Sequence, residues 1–388
     1  MEDKKAEKAF RKLRDILNMP KSKTSMDILK IWYSDEDIKL LMAGPFKAIQ
    51  VDRYSIEEYS EAANIPVDKV KETFERLARR GVLFWYYDSK EVNKKKYLIP
   101  PLFPGLFEYF TISPNNSIDE RRRFVKKFHS SDEVGFAGEM DFSIFRIIPG
   151  LKPEPEIRLV EINQTLSPDK SKVLAYQDVE EIIKQAGKTE KNMAVVPCTC
   201  RTMAMMTKSS PDCEGSIENC MTFGPPAKYS VEEGIGRYIS IDEGLEILKQ
   251  SEKEGLIHLT QNTKDKHSFI CNCCTCCCGI VGAAIEMRFT DIFQVSDYVP
   301  VIDYDECTRC KKCVKYCKLH ALLYMEGEKP DKSDHSISIR ENICIGCGVC
   351  ASNCPTGAMN LKKVRDNLPA NSFVEAMQKM NKSMALDR

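Results

Sequence analysis

Residues 307–317 read CTRCKKCVKYC, and residues 344–355 read CIGCGVCASNCP. Cys307, Cys310, Cys313 and Cys317 stand at C-x2-C-x2-C-x3-C, and Cys344, Cys347, Cys350 and Cys354 repeat that spacing 37 residues later (344 minus 307). An apolar pair trails each unit, Ala321-Leu322 and Ala358-Met359. Together these features mark an internal duplication. Three thiols on one short looping segment can each reach a different metal atom of a cluster, with the fourth arriving from a distance. Soft thiolate sulfur is the donor that iron–sulfur clusters select. Zinc on four thiolates instead favours pairs of C-x2-C split by longer loops.

Over about residues 301–361 the chain resembles bacterial-type ferredoxins that carry two 4Fe-4S clusters. In that family the fourth cysteine of each run serves the other cluster. The resemblance therefore implies Cys307, Cys310, Cys313 and Cys354 for one cluster, and Cys344, Cys347, Cys350 and Cys317 for the second. Pro355 follows Cys354 as the family pattern wants, whereas Lys318 stands after Cys317 where proline is usual. That departure bears on the turn after Cys317 and leaves the donors intact. Between Val301 and Leu361 eight acidic residues face eight basic ones, with Lys311, Lys312, Lys315 and Lys318 crowded round the first run. Many free-standing ferredoxins are strongly acidic, so a neutral segment reads as part of a larger protein. Nearby cations favour the more negative, reduced cluster and raise its potential.

The rest of the chain sets the context. Its 388 residues exceed one comfortable core. Fifty-seven basic residues balance 57 acidic ones, which removes any global electrostatic reason to bind nucleic acid or an anionic membrane. MEDKKAEKAFRKLRD is charged from its second residue, so no secretory signal is read there, and no run of about 18 apolar residues offers a membrane span. A cytoplasmic location follows as an expectation. In that compartment thiols stay reduced, and eighteen cysteines between Cys198 and Cys354 ask for metal.

Ten of those cysteines lie outside the duplicated runs. NMAVVPCTCR (192–201) reads as a short buried strand stopped by Pro197 and opening into a cysteine loop with Cys198 and Cys200. LIHLTQNTKDKHSFICNCC (256–274) reads as a hairpin whose second strand runs into Cys271. ICNCCTCCCG (270–279) then packs six thiols into eight positions, with Cys271, Cys274 and Cys277 at C-x2-C-x2-C and Cys273 and Cys276 as an overlapping pair. Between the two groups, SVEE at Ser230 and SIDE at Ser240 are capping-box signatures; the second opens an amphipathic helix that ends at Gly255. From about Val195 to Gly279 this pattern resembles a module of ferredoxin-type iron–sulfur proteins of anaerobic bacteria and archaea. At least one further iron–sulfur cluster is expected, on Cys200, Cys213, Cys220 and one or more of Cys271, Cys273, Cys274 and Cys277. Structural zinc and a thiol or persulfide relay are the alternatives. Cys278, before Gly279 and the apolar IVGAAI, reads as a small buried hydrophobe. Arg201 is the candidate to hydrogen-bond cluster sulfur, against an ordinary ion pair. His258 and His267 read as structural before they read as ligands.

In the N-terminal third, SIEEYSEAANIP opens with a Ser55–Glu58 capping box. VDKVKETFERLARRG then sets Val67, Val70, Phe74 and Leu77 on one face and stops at Gly81. VLFWYY, the polar tip DSKEVNKKK and YLIPP make a wing-like hairpin. The segment is similar to a winged-helix domain. Lys69, Lys71, Arg76, Arg79, Arg80, Lys94, Lys95 and Lys96 are its candidate phosphate contacts, but Asp68, Glu72 and Glu75 share the helix and repel a nucleic-acid backbone. A protein-contact or structural use is preferred to DNA reading. Phe10, Leu13 and Leu17 line one face of the first helix, and Phe373, Met377, Met380 and Met384 form a stripe behind a Ser372 cap; docking on the protein's own core is expected for both.

The fold class expected is α+β and multi-domain. Residues 1–25 form an amphipathic helix and linker, 26–110 a winged-helix-like domain, and 111–298 a central Cys-rich α/β domain. Residues 299–361 form a ferredoxin-like two-cluster domain and 362–388 a C-terminal amphipathic helix. No G-x-G-x-x-G follows a strand and no G-x-x-x-x-G-K-[ST] occurs, so nothing marks a nucleotide site. The function expected is iron–sulfur electron transfer, relaying single electrons between clusters and a partner oxidoreductase in anaerobic metabolism. A redox-responsive DNA regulator and a reductase with a catalytic central cluster are the alternatives.

Overall fold

The structure, a computed structural model, describes residues 2–88, 91, 93–129, 143–150, 179–210, 212–264, 267–282, 293–331, 333–373, 375, 376, 378 and 379. In chain order the first stretch carries α1 (Glu2–Ile16), α2 (Lys23–Trp32), α3 (Asp35–Ala43), α4 (Ile56–Ala63), α5 (Val67–Arg79), β1 (Phe84–Tyr87), β2 (Lys95–Leu98), α6 (Phe107–Ile112) and α7 (Ile118–His129). The middle adds β3 (Phe145–Ile148), α8 (Val179–Gly187), β4 (Met193–Pro197), α9 (Thr199–Thr207), β5 (Glu218–Phe223), α10 (Pro225–Glu232), β6 (Arg237–Tyr238), α11 (Ile241–Lys253), β7 (Ile257–Gln261) and β8 (Phe269–Cys273). The last stretch carries β9 (Tyr298–Ile302), β10 (Leu322–Met325), β11 (Ser336–Ile339) and β12 (Met359–Lys363), with short helices at Lys312–Tyr316 and Val349–Ser352. Helix and sheet are thus mixed. No helix among the described residues is long and apolar enough to cross a membrane.

Two compact units divide the chain, and neither is continuous in sequence. The first comprises the described parts of Met1–Ala137, Ala194–Pro211 and Gly224–Tyr238. α2, α3 and α4 begin where serine side chains take orphan amides of the first turn. Ser34 with Asp37 caps α3 and Ser55 with Glu58 caps α4, both as complete capping boxes. On α5 the buried residues are Val70, Thr73, Phe74, Leu77 and Ala78, and Gly81 ends the run at φ +78. A Cβ at Gly81 would lie 2.5 Å from the Tyr109 carbonyl carbon, so glycine is required twice over. β1 and β2 form the hairpin, pairing Phe84 with Leu98 and Tyr87 with Lys95. Phe46, Tyr59, Phe74 and Tyr97 stack beneath it with ring centroids 4.8 to 6.2 Å apart. Phe10, Leu13 and Leu17 of α1 are buried, so that stripe docks on the protein's own core. α10 joins this unit through Tyr229, whose hydroxyl donates to the Ala78 carbonyl at 2.6 Å.

The second unit comprises the described parts of Gly138–Met193, Asp212–Phe223 and Ile239–Arg388. Here β3, β7, β8 and β5 lie side by side in that order, all antiparallel. α8 and α11 cover one face, with Ile148, Ile182, Ile183, Met221, Leu248 and Ile270 as the core. Ser240 caps α11 by accepting from the Glu243 amide, as its SIDE motif implies, and Gly255 follows the helix at φ +74.

Two expectations require correction. Ser230 does not open a helix: α10 begins at Pro225 behind Gly224 (φ +66), and the Ser230 hydroxyl bonds back to the Pro226 carbonyl within it. Proline at the first helical position supplied a start that the SVEE motif concealed. Cys200 lies in α9 rather than in a loop, with Cys198 as the preceding cap residue, because the chain turns helical directly after Pro197. Of the C-terminal stripe, Met377, Met380 and Met384 lie outside the described residues; Ser372 accepts from the Glu375 amide.

Candidate metal centres

The duplicated runs build two halves that exchange strands. β9 pairs with β12, Tyr298 opposite Lys363 and Ile302 opposite Met359, while β10 pairs with β11, Leu322 opposite Ile339. Each half therefore gives one strand to each ladder, and the short helices Lys312–Tyr316 and Val349–Ser352 lie 37 positions apart (349 minus 312). Tyr298, Leu322, Ile337, Met359 and Leu361 fill the shared core, with Cys350 among them.

Thiols of the two halves act on one another. Burial pushes Cys313 up to about 11, and the other thiols acting on it are Cys354, Cys307 and Cys310. Burial likewise pushes Cys347 up to about 12, with Cys344 and Cys317 adding to it. Cys350 is raised well above the usual thiol range by burial and then by Cys347, Cys344, Cys317 and Cys313. Cys354 goes the other way. Burial acts to raise it, but hydrogen bonds from the Met359, Thr356 and Ala358 amides and the Thr356 hydroxyl outweigh that cost. In the other half the Ala321 amide donates to the Cys317 sulfur at 3.3 Å. Cys317, Cys344, Cys347 and Cys350 line one cavity, closed by Pro300, Ala321 and Val349. Four soft donors round one enclosure, backed by amides that point at sulfur, fit an iron–sulfur cluster; buried neutral thiols would release their protons on taking metal.

A second constellation sits in the middle of the chain. The sulfurs of Cys213, Cys274, Cys276 and Cys277 all lie within 4.8 Å of one another. Cys213 Sγ is 3.8 Å from Cys274 Sγ, and Cys276 Sγ is 3.7 Å from Cys277 Sγ. Burial works to raise Cys213, but the Gly215 amide and the thiols of Cys277, Cys276 and Cys274 hold it below the usual range. Cys276 is pushed up to about 12, by burial and then by Cys274.

Of the central residues singled out from sequence, Cys213, Cys274 and Cys277 come together here. Cys276, which the spacing offered only as an overlapping pair with Cys273 and which was not among the expected ligands, joins them. Cys271 and Cys273 are on β8, on the same side of the pleat, and Cys273 is raised well above its usual range by hydrogen bonds with Cys271 and Cys278 and by burial. Met221 pairs with Ile270 on β5 and β8, so the next step of that register sets Cys220 beside Cys271. Cys278 is buried, as its apolar surroundings imply. Cys200 and the buried Arg201 lie on α9 of the first unit. His258 bonds to Asn272 at 2.6 Å and to Glu252 at 3.2 Å, all three buried. His267 meets the Thr260 hydroxyl at 3.0 Å and is lowered to about 4 by burial and by Arg146.

Known proteins resemble parts of the chain. Residues 306–358 match the family described as 4Fe-4S dicluster domain. The chain is 36% identical over 56 residues to ketoisovalerate oxidoreductase subunit VorC of Methanothermobacter marburgensis, covering 14% of this chain and 70% of that protein. It is 29% identical over 98 residues to an uncharacterized ferredoxin of Methanocaldococcus jannaschii, 24% of this chain and 50% of that protein. It is also 34% identical over 73 residues to translation initiation factor rli1 of Schizosaccharomyces pombe, 18% of this chain but only 12% of that relative's length. Proteins with such different names match stretches of this chain, so the likeness by itself does not point to one activity. Through residues 306–358 the chain belongs to the 4Fe-4S dicluster domain family.

Proposed function

We propose that this protein is a cytoplasmic iron–sulfur electron carrier of anaerobic metabolism that passes single electrons to or from a partner oxidoreductase. Cys307, Cys310, Cys313 and Cys354 hold one 4Fe-4S cluster in this reading, and Cys344, Cys347, Cys350 and Cys317 hold the second. The observation that supports it is that Cys317 lines one cavity with Cys344, Cys347 and Cys350, while Cys354 acts on Cys313 beside Cys307 and Cys310. Bound clusters would supply reversible one-electron chemistry. The chain's own part is to hold them in a common core, aim amides at sulfur and exclude water from the second site. The test is a pair of variants purified without oxygen. Cys354→Ser and Cys317→Ser should each lose about four irons and a different one of two reduced-state electron paramagnetic resonance signals. Unchanged iron in both variants would overturn the assignment.

The N-terminal unit, with α4, α5 and the β1–β2 hairpin in winged-helix order, is proposed as a protein-contact module. Several cations that DNA reading needs are already engaged. Arg76 pairs with Asp37, and Arg80 with Glu120 at 2.9 Å. Lys94 pairs with Glu91 at 2.9 Å, Lys95 with Glu232 at 3.1 Å, and Lys96 with Glu58. Lys95 also stands 3.7 Å over the Trp85 ring.

A further inference from the structure

We propose that Cys213, Cys274, Cys276 and Cys277 form a closed, mononuclear four-thiolate site for zinc, separate from the iron–sulfur clusters. The distances carry it. Four sulfurs placed about 2.3 Å from one tetrahedral metal stand about 3.8 Å from each other. The Cys213–Cys274 and Cys276–Cys277 edges of this group are 3.8 and 3.7 Å, and all four sulfurs fall within 4.8 Å of one another. A four-iron cube binds each thiolate to a different iron, so its sulfurs stand farther apart than the edge of a one-metal tetrahedron. Among the described residues no other set of cysteine, histidine or carboxylate donors closes on one point in this way, the eight thiols of the ferredoxin segment included.

The site is built from two separately anchored pieces. Cys213 comes from the loop before β5. That loop is tied to the end of α11 by the Ser216 amide, which donates to Glu254 at 2.9 Å, and Gln250 holds the same carboxylate at 3.0 Å. The other three thiols come from the turn after β8, where the Cys278 amide meets the Cys274 carbonyl at 3.4 Å and the Gly282 amide meets the Cys278 carbonyl at 2.8 Å. A Cβ on Gly282 would stand 2.8 Å from the Thr275 carbonyl oxygen, so the turn closes only on glycine. The Gly215 amide, bonded to the Cys213 sulfur, offsets part of the charge that four thiolates place on one divalent ion. Metal entry displaces the thiol protons to water.

Zinc suits four soft donors with no open position and no electron to exchange. The pleat explains why the C-x2-C-x2-C spacing of Cys271, Cys274 and Cys277 is not used: Cys271 is still in β8, and Cys274 is past its end. Cys220, Cys271 and Cys273 remain as donors for any further central cluster.

The test uses the full chain, purified without oxygen. Zinc-edge X-ray absorption should show one zinc per chain with four sulfur neighbours at about 2.3 Å and no metal neighbour. Cys276→Ser, at the most exposed of the four thiols, should lose that zinc while iron and sulfide stay at the wild-type level; Cys278→Ala should keep both. Mononuclear iron in the four-sulfur site, a short metal–metal distance, or loss of about four irons in Cys276→Ser would each overturn the proposal. Because the absorption measurement needs no variant, a Cys276→Ser chain that fails to fold still leaves the proposal decided.

Discussion

Arg309 and Gly346 stand 37 residues apart, two positions after the first cysteine of their runs, and both hold left-handed backbone, at φ +56 and +69. The same match recurs at Lys311 (φ +64) and Gly348 (φ +77), and at His320 (φ +54) and Gly357 (φ +72). The loop that aims amides inward needs these turns in both halves. The second half meets the need with glycine. The first meets it with side chains that cost roughly 1–2 kcal/mol each in this conformation. Arg309 offsets that cost by donating to the carbonyls of Cys307, Ser333 and His335 at 2.7 to 3.3 Å.

Alanine at Gly346 should damage the second half severely. Its Cβ would sit 2.2 Å from the Tyr298 carbonyl oxygen, so the loop must move, whereas Gly357 has nothing within 4 Å. Gly357→Ala is expected to cost roughly 1–2 kcal/mol, from backbone strain alone. Gly346→Ala should cost more and also lower iron content. Anaerobic urea unfolding with iron analysis checks both; equal costs would contradict the contact.

Lys311→Gly should stabilise the protein by up to about 1 kcal/mol by removing left-handed strain. What it gives up is a Glu326 pair at 3.2 Å and a position 3.9 Å over the Tyr324 ring, both at the surface. The reading is the urea midpoint relative to wild type.

Acid should strip stability through Asp37. Burial acts to raise this carboxyl, but the hydrogen bond from Arg76 and those from Ser34 outweigh it and hold it low. A carboxyl depressed in the folded state contributes stability above its unfolded value of about 3.9 and loses it as pH falls through the folded value. Asp37→Asn should therefore flatten the acid limb of the stability curve below about pH 4. Arg76→Ala, leaving Asp37 buried without its partner, should cost about 1–3 kcal/mol at neutral pH.

His258→Leu should cost about 1–3 kcal/mol, since it strands the buried Asn272 and Glu252 groups that the imidazole joins. Metal content should stay at the wild-type level. A lost metal would mean that the ring is a ligand.

DNA binding should be weak, indifferent to sequence and steeply salt-dependent, because Arg76, Arg80, Lys94, Lys95 and Lys96 already face carboxylates. Fluorescence anisotropy against random and enriched duplexes at roughly physiological salt checks this. A sequence-selective complex would favour the regulator.

Local chemistry was legible in the sequence. Cysteine spacing located the duplication, Ser55 and Ser240 marked true helix starts, and the 84–98 hairpin followed from its polar tip. What was not legible depends on distant packing. Cys276 joins Cys213 only because a turn after β8 meets a loop before β5, and the C-x2-C patterns offered Cys271, Cys273, Cys274, Cys276 and Cys277 without showing which of them meet Cys213. Residues 194–210 and 224–238 pack with the N-terminal helices, through contacts such as Tyr229 on Ala78, with no signal in their own spacing.

The most direct test of the electron-carrier account is a reductive titration of the whole protein without oxygen, with iron and acid-labile sulfide counted on the same sample. At least about eight irons and eight sulfides per chain, with two electrons taken up reversibly by the C-terminal pair, is the predicted result. A folded, colourless protein free of iron would contradict it.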